Sequence, residues 1–152
     1  MKKSIKRVVS VLVMCALVAM LSACGGKEES KTCTLTQDGS TVEIKIDAKG
    51  DIITKWTQTS TLSTEGLGEE VVATLEAAID QMKTTYGEYS NVEYSGSLSG
   101  NSFVEVIAID MTDKDGVQKL VDAGLLPVEG NASKLSMKQT VENLEKSGYV
   151  VQ

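Results

Sequence analysis

Apolar and polar residues alternate along three segments in the first half of the chain. Residues 32–36 alternate threonine with Cys33 or Leu35, and residues 42–47 alternate a branched apolar residue with a charged one. A third segment, residues 52–62, is rich in threonine and isoleucine and alternates more weakly. Alternation of period two places apolar side chains on one face of a β-strand. Because Asp-Gly and Lys-Gly-Asp turn signals separate the segments, they predict an antiparallel meander of three strands.

The spacing of apolar residues changes to that of a helix over residues 69–86. Apolar side chains recur there at the i, i+3, i+4 and i+7 positions that share one helix face. This stripe contains Val71, Val72, Leu75, Ala78, Ile79, Met82 and Tyr86. The pattern predicts one long amphipathic helix, which ends before Gly87 and buries the stripe against the rest of the domain.

Two more strands and two more helices are predicted in the second half of the chain. Residues 92–95 and 103–110 alternate again, and in the second of these segments Glu105 shares a face with three apolar residues. Hydroxyl or carboxyl cap residues predict helices over residues 112–124 and 136–148. The order βββ-α-ββ-α-α predicts an α+β fold, with a mostly antiparallel sheet and helices packed on one face.

The first 23 residues have the layout of a secretory signal peptide. Four basic residues lie within the first seven positions, and an apolar run follows over residues 8–20. This run is shorter than the roughly 20 residues that a membrane-spanning helix needs. Residues 21–24 read Leu-Ser-Ala-Cys, which resembles the lipobox of bacterial lipoproteins. In such lipoproteins the bond after Ala23 is cut, and Cys24 carries the lipid.

These features divide the chain into three parts. Residues 1–23 are predicted to be the lipoprotein signal peptide, residues 24–31 the lipidated cysteine with a flexible tether, and residues 32–152 a single α+β domain. Lipid on Cys24 predicts attachment to the cell membrane on the extracytoplasmic face of the envelope.

The composition excludes several classes of chemistry and of partner. The chain has no histidine, which is the commonest general base and nitrogen ligand for zinc. Cys15 lies in the signal peptide and Cys24 carries the predicted lipid, which leaves Cys33 as the one free thiol. We expect Cys33 to be buried as a small apolar residue. The formal net charge of −6 becomes more negative after signal cleavage, and this argues against nucleic acid as a partner.

The order of these segments resembles the YehR-like family of small bacterial lipoproteins. The resemblance spans most of the predicted domain. Its segments are Cys24-Gly25-Gly26, the Gly50-Asp51 turn before the strand that contains Lys55, the helix that ends at Tyr86-Gly87, residues 104–111 and residues 135–148. The resemblance implies an α+β fold and an envelope lipoprotein, and it supplies no active-site residues.

One acidic segment has a partial resemblance to a calcium-binding loop. An EF-hand loop needs acidic side chains at its first, third and fifth positions and glycine at the sixth. Asp113, Asp115 and Gly116 fit the last three of these, but Met111 occupies the first position and offers no side-chain oxygen. Asp110 is displaced by one position, so these three aspartates are weak metal candidates and an acidic helix N-terminus is the favoured interpretation. No cofactor is expected.

The sequence contains no recognisable set of catalytic residues. We therefore expect a non-enzymatic module that binds an envelope protein or another envelope component. Its predicted contact surface contains Trp56 and Thr57, in a strand that is rich in threonine. One alternative is an extracytoplasmic capture protein for a small ligand or cation, and a remote alternative is a carboxylate-based hydrolase.

Overall fold

The computed structural model describes residues 26–126 and 134–152, which form six strands and three helices. The strands are β1 (Glu28–Gln37), β2 (Ser40–Lys49), β3 (Ile52–Ser63), β4 (Val92–Ser99), β5 (Ser102–Asp110) and β6 (Val150–Val151). The helices are α1 (Glu69–Tyr86), α2 (Lys114–Asp122) and α3 (Met137–Lys146). The predicted order βββ-α-ββ-α-α is confirmed, and β6 follows it. The predicted signal peptide, with Ala23 and Cys24, lies outside the described residues.

All neighbouring strands are antiparallel and form one sheet in the order β4-β5-β3-β2-β1-β6. A two-residue turn joins β1 to β2, and its residues Asp38 and Gly39 have φ angles of 48° and 79°. Positive φ at both positions matches the twist of the two strands, which explains the Asp-Gly pair in the sequence. The short strand β6 pairs with the middle of β1. The predicted antiparallel α+β fold is therefore confirmed.

β1 begins at Glu28, inside the segment that the sequence predicted to be a flexible tether. Its first residue pairs with Lys49 at the end of β2. The tether prediction was therefore wrong for residues 28–31. Three of these four residues are charged and none is apolar, but backbone pairing with β2 does not depend on side-chain polarity.

One face of the sheet, which we call the helix face, carries the hydrophobic core. Directly paired residues of neighbouring strands place their side chains on the same face, so the register assigns every strand residue to one face. The buried strand residues of the helix face are Cys33, Ile44, Ile46, Ala48, Ile53 and Ile109. Val117 and Leu120 of α2, Met137 of α3, and Met111 and Leu126 outside the helices also belong to this core.

The long helix α1 also lies on the helix face, above the edge strand β4. The ring of Tyr86 stacks on that of Tyr94 in β4, with ring centroids 5.4 Å apart. A Cβ atom at Gly96 would come within 2.9 Å of Ile79, so this glycine allows the helix to approach the strand. The predicted bounds of the helix are confirmed. The predicted burial of its whole stripe is wrong, because Val71 is 46% exposed and Tyr86 is the one buried residue of α1. A helix above an edge strand lacks a neighbour on its outer side.

Side-chain caps start the two shorter helices and fasten one of them to the sheet. Asp113 caps α2, and Ser136 caps α3 by accepting a hydrogen bond from the backbone N–H of Gln139 at 3.1 Å. Asp51, in the turn between β2 and β3, accepts from the Ser136 hydroxyl at 2.6 Å and from the backbone N–H of Lys138 at 2.9 Å. These bonds stabilise the carboxylate and lower the pKa of Asp51. They hold the start of α3 against the sheet.

Cys33 is fully buried in the core, as the sequence predicted. Burial raises the pKa of its thiol, and the charge of Glu145 adds to this effect. Since the thiolate is the reactive form, we expect Cys33 of the folded mature chain (residues 24–152, with Cys24→Ser) to stay unmodified by N-ethylmaleimide over the time in which the urea-unfolded chain reacts completely. Mass spectrometry of both samples measures this difference. Rapid modification of the folded chain would contradict the coverage of Cys33 by β6.

Candidate functional site

The structure separates the two residues of the predicted contact surface. Trp56 and Thr57 are neighbours in β3, and neighbouring side chains in a strand lie on opposite faces. Trp56 pairs with Ile46 and packs against the core on the helix face. Thr57 pairs with Ala108 on the other face. The two side chains therefore do not form one surface, and β3 is a central strand rather than an edge strand.

Thr57 belongs to a broad face of the sheet that meets none of the three described helices. We call it the open face and define it by three rows of directly paired residues that cross β1, β2, β3, β5 and β4. The rows are Thr36-Thr41-Thr61-Val104-Ser97, Thr34-Glu43-Thr59-Val106-Ser95 and Thr32-Lys45-Thr57-Ala108-Glu93. The hydrophobic core cluster contains none of these residues. Val104 and Val106 of the open face thus lie outside the core, whereas the small side chain of Ala108 is buried between its neighbours.

The side chains of the open face change from apolar to charged away from its centre. Val104 and Val106 lie beside a column of threonines from β3, and β-branched side chains present methyl groups with little rotational freedom. Charged side chains of β2 and β4 flank this centre. One of them, Lys45, lies 3.7 Å from Asp47 in an ion pair that is open to water. An apolar centre within a polar rim is the usual layout of a protein–protein interface.

The three weak metal candidates serve the turn into α2. Asp110 accepts from the backbone N–H of Thr112 at 2.8 Å and from its hydroxyl at 2.6 Å. These bonds lower the pKa of the Asp110 carboxyl group. Asp113 is the cap of α2, and Asp115 is exposed in its first turn. Within the two described ranges, the acidic and cysteine side chains form no group of three that could hold a metal ion.

Four polar residues lie on the helix face, where the alternation requires apolar side chains. They are Gln58 and Ser60 of β3, Tyr94 of β4 and Glu105 of β5, and we call them the oxygen cluster. The Tyr94 hydroxyl donates to Oε1 of Glu105 at 3.0 Å, and Nε2 of Gln58 donates to Oγ of Ser60 at 3.4 Å. All four side chains are half-buried. The sequence contained one signal for this cluster, namely the charged Glu105 within an otherwise apolar row.

The contact between Tyr94 and Glu105 changes how the tyrosine titrates. Burial, and then the hydrogen bond to Glu105, raise the pKa of Tyr94 to about 12. We expect Tyr94 to stay neutral at about pH 11, and to ionise at lower pH in the Glu105→Gln variant, where the negative charge is absent. NMR signals of the tyrosine rings measure both titrations. Glu93→Gln, on the open face, should titrate like the wild type. An unchanged pKa in Glu105→Gln would contradict the contact.

The raised pKa also makes stability depend on pH. An unfolded tyrosine ionises near pH 10, whereas Tyr94 in the folded chain ionises near 12. Between these values the unfolded chain binds fewer protons than the folded chain, so stability falls as the pH rises. The contribution of Tyr94 is therefore complete below about pH 10 and is lost by about pH 12.

Comparison with known proteins identifies the family of this chain. Residues 29–150 match the family described as "Protein of unknown function (DUF1307)". The chain belongs to the DUF1307 family. It is 32% identical to "Uncharacterized lipoprotein Lmo0207" of Listeria monocytogenes, over 97% of this chain and 96% of that protein. It is 25% identical to "Uncharacterized lipoprotein YehR" of Escherichia coli, over 74% of each chain.

A solved structure has the same fold as this DUF1307 protein. The NMR structure of E. coli YehR superimposes with a TM-score of 0.61 at 20% identity, over 84% of this chain and 92% of that chain. The resemblance to YehR-like lipoproteins is therefore confirmed. Because these relatives are lipoproteins, we conclude that the DUF1307 protein is a lipoprotein of the cell envelope. In the part of the chain that the structure describes, no helix has the length and apolar character to cross a membrane.

Proposed function

We propose that this DUF1307 lipoprotein is a non-enzymatic module on the extracytoplasmic side of the membrane that binds an envelope protein through its open face. One observation carries the proposal. Val104 and Val106 lie together, half-buried, on a sheet face that meets no described helix, and neither belongs to the core cluster. Apolar side chains gain about 25 cal/mol for each Å² that a partner removes from water. The helices cover the other face, so binding at the open face leaves the core intact.

The area of the open face suits a specific contact. The face spans five strands. With strands about 4.8 Å apart and about 3.3 Å per residue, five strands of five residues cover roughly 400 Å². A standard interface buries about 800 Å² on each partner. The open face therefore supplies about half of such an interface, and the charged rim and nearby loops supply the rest.

Lipid attachment at Cys24 would also keep the open face near the membrane. β1 begins at Glu28, four residues after Cys24, and four Cα–Cα steps span at most about 14 Å. The start of β1 would therefore stay close to the membrane surface. A protein of the same envelope is therefore a partner within reach of the open face. The acidic chain repels nucleic acid and anionic lipid headgroups.

Two substitutions that introduce charge at the centre of the open face test the proposal. Thr59 and Val106 are directly paired, and Thr59→Lys with Val106→Lys places two ammonium groups where the partner would bury them. We expect at least about a tenfold loss of the complex that chemical cross-linking traps in intact cells, because buried unpaired charges are costly. The readout is the amount of one complex of defined mass.

The matched control adds the same charge to the other side of the domain. Gln118 of α2 and Asn143 of α3 are exposed on the helix side, and the double variant Gln118→Lys with Asn143→Lys should keep the complex. Thermal unfolding of both double variants establishes that each is folded. An unchanged amount of complex in a folded Thr59→Lys and Val106→Lys variant would contradict binding through the open face.

A further inference from the structure

The oxygen cluster is a set of half-buried polar groups on the side of the sheet opposite the open face. Its member Gln58 pairs with Ile44 and Ile107, which both belong to or pack against the core. A polar side chain at such a position costs folding free energy. Sequences depart from the apolar pattern in this way chiefly at functional sites. The cluster is therefore the strongest candidate for a ligand site on the helix face.

The cluster has more unused hydrogen-bond acceptors than unused donors, which are the Ser60 hydroxyl and the second amide N–H of Gln58. The Tyr94 hydroxyl gives its proton to one carboxylate oxygen of Glu105, and the Gln58 amide donates to Ser60. The second carboxylate oxygen, the amide oxygen of Gln58 and the hydroxyl lone pairs are left to accept from a ligand. Gly96 makes room for this arrangement, since a Cβ atom there would lie 2.9 Å from the Tyr94 hydroxyl.

Glu105 has no cationic partner among the described residues. The ion pairs in those residues are Lys27 with Glu29 and Lys45 with Asp47, and both involve side chains that are open to water. A half-buried carboxylate attracts a cation more strongly than an exposed one, because less water screens its charge.

We propose that the oxygen cluster binds the primary ammonium group of a small ligand. An ammonium nitrogen carries three N–H donors, which suit separate acceptors on Gln58, Ser60 and Glu105. A guanidinium group prefers both oxygens of one carboxylate, and Tyr94 already occupies one of them. A calcium ion needs six to eight oxygens, often from several carboxylates, and the cluster has one carboxylate. The acceptor set therefore favours an amine over other cations.

Apolar side chains beside the cluster define the rest of the ligand. Val42 pairs with Ser60, and Phe103 lies two residues from Glu105 on the same face. Both side chains are half-buried, so each still exposes surface that a ligand can cover. The ligand class is therefore an alkylammonium compound, whose charged head meets the cluster and whose stem meets Val42 and Phe103.

Calorimetric titration with n-pentylammonium chloride tests this site. The protein is the mature chain with Cys24→Ser, which contains all six described strands, from Glu28 to Val151. We expect the affinity of n-pentylammonium for the chain with Glu105 intact to be at least about tenfold higher than its affinity for the Glu105→Gln variant. The neutral analogue 1-pentanol should give no comparable binding. Glu93→Gln removes the same charge from the open face and should leave the affinity unchanged.

Three results would overturn the proposal. They are equal affinities of the intact and Glu105→Gln chains, binding of 1-pentanol as strong as that of n-pentylammonium, and a dissociation constant above about 10 mM for the intact chain. Amide NMR spectra show whether each variant is folded, and Gln58→Leu replaces Glu105→Gln if the latter is not. The cluster and the open face lie on opposite sides of the sheet, so failure here leaves the proposed protein-binding function untouched.

Discussion

Replacing Ile109 by alanine is expected to lower the free energy of unfolding by about 2–5 kcal/mol. Ile109 is 3% exposed and lies in the core of the helix face. The truncation removes buried methyl groups and leaves a cavity that the packed helices cannot fully close. Urea unfolding, followed by the fluorescence of Trp56, measures the loss, because Trp56 is the direct partner of Ile109 in the sheet.

The matched change on the same strand is Val106→Ala. Val106 lies on the open face and is half-buried, so its truncation leaves no closed cavity. We expect a loss below about 1 kcal/mol. If Val106→Ala destabilised the domain as much as Ile109→Ala, the open face would be covered within the folded chain, and the proposed contact surface would not exist.

Replacing Gly116 by alanine is expected to destabilise the domain by about 2–4 kcal/mol, although alanine favours helices. Gly116 lies in the first turn of α2, and a Cβ atom there would come within 2.5 Å of Cγ of Asn91 and 2.6 Å of Oδ2 of Asp113. Asn91 is 7% exposed, and its carbonyl accepts from the backbone N–H of Asp110. The extra methyl group would therefore disturb the cap of α2 and the start of β4 together.

Gly68→Ser is the control for this prediction. Gly68 is the N-cap of α1, it has no side-chain cap bond, and a Cβ atom there meets nothing within 4 Å. Serine adds a capping hydroxyl, so we expect this variant to be as stable as the wild type or slightly more stable. Equilibrium unfolding in urea compares the two variants. A Gly116→Ala variant as stable as the wild type would contradict the close packing of α2 on Asn91.

The strands were predictable because one physical rule governs them. Val42, Ile44 and Ile46 alternate with charged residues, and a sheet with one covered face requires that alternation. Asp38 and Gly39 identified the first hairpin, since few other residues adopt positive φ at both turn positions. The strand order was not predictable in the same way. The pairing of β3 with β5 joins segments that are far apart in the sequence, and periodicity carries no information on such contacts.

The burial of α1 and the start of β1 were mispredicted for related reasons. The stripe of α1 has the period of a buried helix, but burial depends on what lies beneath it, and an edge strand covers only part of the stripe. The start of β1 lacks an apolar period, yet β2 supplies backbone partners as far as Glu28. In both cases a neighbouring element, rather than the local sequence, decided the outcome.

The candidate sites were less predictable than the fold. Trp56 and Thr57 are adjacent in sequence, and their separation onto two faces follows from the strand geometry. The oxygen cluster brings together residues of three strands, which only the register reveals. The one indication of the cluster in the sequence was Glu105 among apolar residues. A single charged residue does not identify which residues lie beside it in the fold.

Site-specific photo-cross-linking in intact cells tests the central claim most directly. In one variant a photoreactive amino acid replaces Thr59 at the centre of the open face. In a second variant it replaces Gln118 on the exposed side of α2. We predict that the cross-linker at position 59 captures a partner protein as one species of defined mass and that the cross-linker at position 118 does not. Capture of the same species from both positions, or from Gln118 alone, would contradict the open face as the contact surface.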